Sequence, residues 1–219
     1  MPRKQRRLLD KMKTPSKAKI IDITHNRAYQ KYLYKCLAPA PFRKYKKRHV
    51  YLTKALSKGF CKKLLAHDGN IVGQIEYAPA EVSGFPINGR NIIIMHCIWV
   101  LRKAKGHNFG RLLLNDMIKN ENKINGFATV ALEDHWSPWM KKDHMEKLGF
   151  KTIDSFKVRH KTKHRDQCFT IHLMWLPTTK DAEQPTWNKT KLLRGLDFCK
   201  DHPLYHPENL KLTEIFEEC

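Results

Sequence analysis

The order of apolar and polar positions along the chain predicts alternating strands and helices. Apolar or alternating runs of strand length occur at residues 18–24, 60–67, 70–77, 92–100, 126–133, 151–158 and 167–175. Apolar residues with helical spacing occur at residues 26–37, 43–56, 108–120 and 139–148. Residues 177–219 are less regular, with helix-like stretches near Leu192 and at residues 212–216. The pattern predicts an α/β fold of one main domain followed by an extension.

Turn-forming and capping residues support these boundaries. Asp68-Gly69 predicts a hairpin between the second and third strands. Ser137-Pro138 predicts the N-cap and the first position of the helix at residues 139–148. Gly149, directly after that helix, is a typical C-terminal glycine.

Residues 92–117 combine a strand, a basic turn and a helix. The strand at residues 92–100 is a continuous apolar run, which is typical of a strand buried on both faces. Residues 102–110 form a basic turn that contains two glycines, and a helix with an apolar side follows. Free N–H groups converge at a helix N-terminus, where the helix dipole favours negative charge. This stretch is therefore predicted to bind a phosphate group.

The charge of the chain is far from ordinary. A formal net charge of +21 and a pI near 9.8 indicate a polyanionic partner such as RNA, a ribosome, DNA or an anionic membrane surface. Residues 1–19 form a basic arm that we expect to be disordered in isolation. The arm is either a solvated tail or an anchor to nucleic acid or a ribosome. We expect no signal peptide and no membrane-spanning segment.

The cysteines indicate a reducing compartment. The six cysteines are scattered and form no CxxC pair, so we expect neither a disulfide framework nor a zinc site. Cys97 and Cys168 lie inside predicted core strands, where a thiol behaves as a small apolar group. The sequence therefore predicts a reduced, cytoplasmic protein.

Four features in order resemble the Gcn5-related N-acetyltransferase (GNAT) superfamily. They are the strand ending at Trp99-Val100, the turn at residues 105–110 (KGHNFG), the strand GFATVALE, and the helix ending in EKLGF at residues 146–150. In the turn, Lys105 stands where Gln or Arg is usual, Asn108 stands where the first glycine is usual, and Gly110 keeps the second. The resemblance covers about residues 20–176, and it is nearest to the YoaP-type acetyltransferases, whose similarity extends to residues 196–199 and 202–205.

The resemblance implies a GNAT-like α/β fold, with a mixed, mostly antiparallel central sheet flanked by helices. It also implies an N-acetyltransferase that uses acetyl-CoA as cosubstrate and needs no metal. The strand would pair with the pantetheine arm, and the turn would hold the pyrophosphate. The implied cofactor-binding residues are Ile98, Trp99, Val100, Lys105, Gly106, His107, Asn108, Phe109, Gly110 and Arg111.

Candidate acid and base residues are few. Glu133 is the first candidate base and His96 the second, although Glu133 is equally well explained as a solvated or capping acid and His96 as a core histidine. Glu76 is a weaker candidate, and Cys97 is a remote one because a buried thiol stays protonated. The family's frequent acid, a tyrosine, is replaced here by Met145, which cannot donate a proton.

The acceptor amine cannot be named from the sequence. In this fold the basic stretches at residues 43–49 and 159–165 are expected to border the acceptor. They would attract an anionic acceptor or an amine displayed on RNA, unless they are simply part of a generally basic surface. The competing hypothesis is a GNAT-like protein that binds RNA or a ribosome with weak or no catalysis, which Met145 and Asn108 favour.

Overall fold

The computed structural model describes residues 18–37, 45–207 and 209–219. The strands are β1 (Lys19–Asp22), β2 (Cys61–His67), β3 (Asn70–Pro79), β4 (Ile87–Asn88), β5 (Ile92–Val100), β6 (Gly126–Glu133), β7 (Lys151–His160), β8 (Cys168–Pro177), β9 (Thr186–Trp187) and β10 (Phe216–Glu218). The α-helices are α1 (Gln30–Leu33), α2 (Lys46–Ala55), α3 (Phe109–Asn120), α4 (Lys142–Leu148) and α5 (Lys189–Leu193). Within these ranges, no helix has both the length and the apolar character needed to span a bilayer.

Eight strands form one mixed sheet in the order β1-β2-β3-β5-β6-β8-β7-β10. Every neighbouring pair in this sheet is antiparallel except β5 and β6, which are parallel. Strands β4 and β9 pair separately. The predicted fold class, a mostly antiparallel sheet flanked by helices, is confirmed.

The two parallel strands separate soon after they begin. Pairing between β5 and β6 covers only Ile92–Ile94 and Gly126–Ala128. Beyond it, β5 continues along β3 as far as Val100, and β6 continues along β8 as far as Glu133. The hydroxyl of Thr129 donates to the carbonyl of Met95 at 2.7 Å, at the point where the strands separate. The sheet therefore opens into a cleft between its two central strands.

Helix α3 covers the sheet beside this cleft. Its apolar residues Leu113, Leu114 and Met117 have no exposed surface and belong to the main core. They recur at the helical spacing that predicted this element, and the helix starts within one residue of the predicted position. Burial of this apolar stripe fixes the helix against β3 and β5.

Two predicted helices differ from the observed ones. The helix expected at residues 26–37 is a 3-10 turn followed by the short α1, which ends at Leu33. The helix expected from residue 139 begins only at Lys142. The hydroxyl of Ser137 accepts from the Trp139 amide at 3.2 Å, so it stabilises a turn before the helix rather than capping it. The predicted terminator Gly149 is confirmed, with a left-handed φ of 104°.

The extension is more ordered than its composition indicates. The helix near Leu192 is confirmed as α5, but the helix expected at residues 212–216 is wrong. Phe216 instead begins β10, which pairs with β7 at the edge of the large sheet. The Phe216 side chain is fully buried. Short strands form where a sheet edge offers unpaired backbone groups, and helical spacing over five residues is too short to reveal this.

The expectation that the cysteines are reduced is wrong for two of the six. Cys168, at the start of β8, forms a disulfide with Cys219, the last residue. The partner of Cys168 is supplied by β10 on the far side of β7, a pairing that no local spacing indicates. Cys36, Cys61, Cys97 and Cys199 take no part in this disulfide.

The predicted basic arm lies almost entirely outside the described residues. Of residues 1–19, the structure describes only the last two, and Lys19 already belongs to β1. The first residues of the helix predicted at residues 43–56 also lie outside the described part. The described remainder of that helix is α2, which is followed by a 3-10 turn.

Candidate active site

A cavity of about 1050 Å³ fills the cleft between the separated strands. It runs from the turn before α3, along β5, to a segment of the C-terminal extension. Its walls come from β3, β5, the turn, α3, α4 and residues 198–202. A pocket of this size is suited to an extended organic molecule together with a second reactant.

The turn before α3 obtains its shape from two residues with left-handed backbone. Gly106 has a φ of +89° and Asn108 a φ of 55°, and α3 begins at the next residue, Phe109. Glycine adopts such angles without steric cost, and asparagine tolerates them better than most residues. Asn108 therefore performs the backbone role of the glycine that is usual at its position.

The turn presents backbone amides that lack protein acceptors. The amides of residues 106–111 have no recorded backbone acceptor among the described residues, whereas the Lys105 amide before them donates to the Arg102 carbonyl and the Leu112 amide after them donates to the Asn108 carbonyl, both at 3.2 Å. A β-carbon added at Gly110 would meet only the Leu148 side chain, at 3.9 Å. Open space beside free amides at the N-terminus of a twelve-residue helix is suited to a phosphate group.

Nine of the ten predicted cofactor residues line the cavity, and the exception is His107. The His107 ring instead stacks on Phe109 with centroids 5.0 Å apart. Arg111 does line the cavity, but its Nη1 donates to the Leu148 carbonyl at 2.7 Å and its Nη2 donates to the Lys147 carbonyl. Its guanidinium thus joins α3 to the C-terminal end of α4.

Strand β5 offers unpaired backbone to the cavity. Ile98, Trp99 and Val100 line the cavity, and their pairing with β3 uses one edge of the strand. The other edge has no recorded pairing with β6 beyond Ile94. Backbone groups at an open strand edge can bind an extended amide-containing ligand as an added strand would.

The candidate base His96 lines the inner part of the cavity. It is 1% exposed and sits at a β-bulge, because Cys97 pairs with Glu76 while Met95 pairs with Tyr77. Its Nε2 lies 3.5 Å from the Tyr51 hydroxyl, and its Nδ1 has no hydrogen-bond partner among the described residues. Burial lowers the pKa of His96 to about 4, so the ring is neutral at neutral pH and is a weak base.

The other candidate base, Glu133, does not line the cavity. One of its carboxylate oxygens accepts from Lys142 at 3.0 Å, and the other lies 3.0 Å from Nε2 of His172. The hydrogen bond from Lys142 is the main reason that the pKa of Glu133 is lowered. Met145 does line the cavity and is 3% exposed, so an unreactive thioether occupies the position usual for an acid.

A buried ionic cluster stands behind the inner part of the cavity. Glu76 lines the cavity and is 4% exposed. One of its oxygens is 2.8 Å from Arg48 and the other is 2.7 Å from Lys62, and both cations are buried. Desolvation opposes ionisation of Glu76, but the two cations outweigh it and hold its pKa at about 2. Two of its members, Lys62 and Glu76, are charged residues inside predicted strands, which is a sequence signal for a buried ion pair, whereas Arg48 comes from helix α2.

The C-terminal extension completes the inner wall. Phe198, Cys199, Asp201 and His202 line the cavity. The segment is closed by backbone hydrogen bonds, including that from Leu196 to the carbonyl of Leu204 at 2.7 Å. The sequence pattern did not indicate this placement, because nothing local connects the extension with the distant strands β3 and β5.

The two basic stretches expected beside the acceptor contribute no described residue to the cavity lining, although Arg48 of the first stretch pairs with Glu76, which does line it. Arg159 pairs with Glu217 at 2.7 Å, and Lys161 pairs with Glu214 at 3.2 Å, so acids of the extension neutralise part of the second stretch. Their charge therefore gives no argument for an anionic acceptor.

Comparison with known proteins identifies the fold. No protein-family model and no curated protein matches the sequence. A protein from Desulfovibrio desulfuricans assigned to the GNAT family superimposes with a TM-score of 0.54 at 12% identity, covering 74% of this chain and 100% of the other. The ribosomal-protein-S18-alanine N-acetyltransferase from Escherichia coli superimposes with a TM-score of 0.50 at 14% identity, covering 77% of this chain and 98% of the other. The chain therefore has the GNAT acetyltransferase fold that its motifs predicted.

Proposed function

We propose that the protein is an acetyl-CoA-dependent N-acetyltransferase that transfers the acetyl group directly to an amine. The observation that carries the proposal is the continuity of one cavity from the free amides before α3 to the open edge of β5. A phosphate-binding turn alone would fit many ligands. A phosphate-binding turn that continues into an unpaired strand edge fits a ligand with a pyrophosphate followed by amide groups, as in CoA.

In this proposal the backbone of residues 106–110 binds the pyrophosphate, and Lys105 adds positive charge. Ile98, Trp99 and Val100 bind the pantetheine arm through their backbone at the open edge of β5. A backbone N–H of this strand then stabilises the negative charge that develops on the thioester oxygen in the transition state. Arg111 supports the site indirectly by holding α3 against α4.

Transfer requires the neutral form of the amine, whose nitrogen attacks the thioester carbon while the carbon–sulfur bond breaks. The sulfur leaves as a thiolate, because Met145 has no proton to give. His96 is the first candidate to accept the proton of the amine, since it lines the cavity. Glu133 is the second and would act through water from outside the cavity.

Isothermal calorimetry with CoA tests the proposal. We expect saturable binding by the wild-type protein and at least about tenfold weaker binding by Gly110→Ala, because the added methyl group takes the space left for the pyrophosphate. Thermal stability should be unchanged or slightly higher, since alanine is favoured over glycine in a helix by about 1 kcal/mol. Leu112→Ala is the matched control, on the exposed side of the same helix. Folded wild-type protein that binds no CoA would refute the proposal.

A second candidate is an RNA- or ribosome-binding protein with this fold and little or no catalysis. The net charge of +21 and the absence of an acid at Met145 favour it. One structural neighbour is named for an acceptor in a ribosomal protein, which makes ribosomes a reasonable probe. Binding that weakens steeply with salt and on removal of residues 1–17 would support this candidate. If the protein binds both CoA and RNA or ribosomes, the result would indicate an enzyme that is tethered to its substrate.

A further inference from the structure

The described charged side chains that line the cavity are separated by sign, whereas the buried cations Arg48 and Lys62 stand behind the lining residue Glu76. The described lysines and arginines that line it all lie near the turn before α3; they are Arg102, Lys105, Arg111 and Lys147. The two carboxylates that line it, Glu76 and Asp201, lie at the inner end, which we define by Glu76, His96, Phe198, Asp201 and His202. A single elongated molecule with a uniform charge would not match both ends.

The two carboxylates of the inner end differ in what they can still bind. Both oxygens of Glu76 already accept from buried cations, Lys62 and Arg48, at 2.7 and 2.8 Å. Asp201 forms no ion pair with any described residue and is exposed to the cavity. Burial raises the pKa of Asp201, and Glu76 adds to this rise, while Lys200, Arg48 and Lys62 favour the charged form. Asp201 is therefore the anion available to a ligand.

The remaining surface of the inner end is aromatic. Phe198 packs on His96 with ring centroids 5.2 Å apart, and the Trp139 ring lies 3.9 Å from that of His202. All four side chains line the cavity and are nearly buried. Within the described part of the chain, His96 and His202 each have one ring nitrogen that forms no hydrogen bond. An anion set among aromatic rings is an arrangement that favours an organic ammonium group.

We infer that the inner end binds the acceptor as an organic primary ammonium ion, with Asp201 as its counter-ion and the rings of Phe198 and Trp139 as walls. The inference rests on the proposed acetyltransferase function and names the chemistry of its acceptor. Asp201 binds the ammonium form, which then releases one proton to solvent. The neutral nitrogen forms its bond to the acetyl carbon, the carbon–sulfur bond breaks and the sulfur leaves as a thiolate. His96 accepts the second proton lost by nitrogen and passes it to solvent.

The counter-ion in this assignment lies outside residues 20–176, which carry the main resemblance to GNAT proteins. Asp201 and Phe198 belong to the extension, whereas the turn and β5 belong to the main domain. Acceptor choice and cofactor binding are therefore carried by different segments. Changes in the extension should alter acceptor affinity and leave CoA affinity unchanged.

Calorimetry on the full chain saturated with CoA tests the inference with three probes of similar shape: phenethylamine, neutral 2-phenylethanol and anionic phenylacetate. We expect phenethylamine to bind most tightly and phenylacetate least. Asp201→Asn should weaken phenethylamine binding about tenfold, because it removes the counter-ion while keeping the side-chain shape. The same variant should bind 2-phenylethanol and CoA as the wild type does.

Asp197→Asn is the matched control. Asp197 lies four positions earlier in the same segment, pairs with Lys47 on the surface at 3.2 Å and does not line the cavity. Its variant should bind phenethylamine as the wild type does. The inference is overturned if Asp201→Asn binds phenethylamine unchanged, if phenylacetate binds as tightly as phenethylamine, or if folded protein binds no phenethylamine at millimolar concentration. Loss of CoA binding in the wild type would instead refute the acetyltransferase proposal, while ammonium binding by the CoA-free protein could still be measured.

Discussion

The two ends of the cavity are built by different physical means. At the turn before α3, the proposed binding groups are backbone amides shaped by Gly106 and Asn108, which are two positions apart in sequence. At the inner end, the proposed binding groups are side chains brought together from β3, β5 and the extension. One end is exposed backbone that needs few contacts to keep its form, whereas the other is a packed arrangement of charges and rings.

This difference has consequences for stability. Backbone amides at a helix N-terminus are held by the helix itself, so a change at Gly110 should affect a ligand more than the fold. Buried charges such as Glu76 are stable only while every partner is present. A variant at the inner end should therefore unfold the protein more readily than a variant at the turn.

The largest expected effect comes from Glu76→Gln, which removes the anion between Arg48 and Lys62. Two buried cations then lose their counter-charge, and the free energy of unfolding should fall by about 3–5 kcal/mol. Denaturant unfolding measures this. The control is Glu217→Gln, which breaks an exposed ion pair with Arg159 and should cost at most about 1 kcal/mol. Equal losses of unfolding free energy in the two variants would contradict this prediction, because the buried ion cluster would then contribute no more to stability than an exposed ion pair.

A somewhat smaller effect is expected from Cys219→Ser, which removes the disulfide with Cys168. Release of the chain end should lower the free energy of unfolding by about 2–4 kcal/mol. The extension carries the inner wall, so phenethylamine binding should weaken more than CoA binding. A reductant should bring the wild-type melting temperature down to that of the variant and leave the variant unchanged. If reductant leaves the wild-type melting temperature unchanged, the disulfide does not form.

The smallest expected effect is the acid sensitivity contributed by His96. Its pKa is about 4 in the folded protein and 6.5 is its ordinary value, so the unfolded state binds a proton first as the pH falls. Stability is therefore lost on acidification, by about 2 kcal/mol from His96 between about pH 7 and pH 5. His96→Phe, which keeps an aromatic ring among Phe85 and Phe198, should flatten that part of the profile. Parallel pH profiles for wild type and variant would contradict this prediction.

The strand, turn and helix at one end of the cavity were predicted well from the sequence because the signals for them are local. The strand, the turn and α3 follow one another directly, and each has its own periodicity or backbone signal. The single local error nearby was at Ser137, whose hydroxyl bonds within a turn and delays α4 until Lys142. A capping signal cannot by itself distinguish a helix start from a turn that precedes one.

The inner end could not be predicted in the same way. Glu76 and Asp201 are separated by more than half of the chain, and only the folded sheet and the extension bring them to one cavity. The disulfide was missed for a related reason, since Cys219 reaches Cys168 only because β10 pairs with β7. Glu133 was favoured as a base from its strand end, yet Lys142 and His172 bind both of its oxygens.

The bond between Cys168 and Cys219 also turns the last part of the chain into a ring. The two cysteines are 51 positions apart, and the ring they close includes β8, α5, Asp201 and β10. A protease that cuts once inside this ring opens it without releasing a fragment. Such nicked protein would keep its full mass on a non-reducing gel and separate into two pieces only after reduction. Material judged intact without reductant can therefore contain a cut in the segment that forms the inner wall of the cavity.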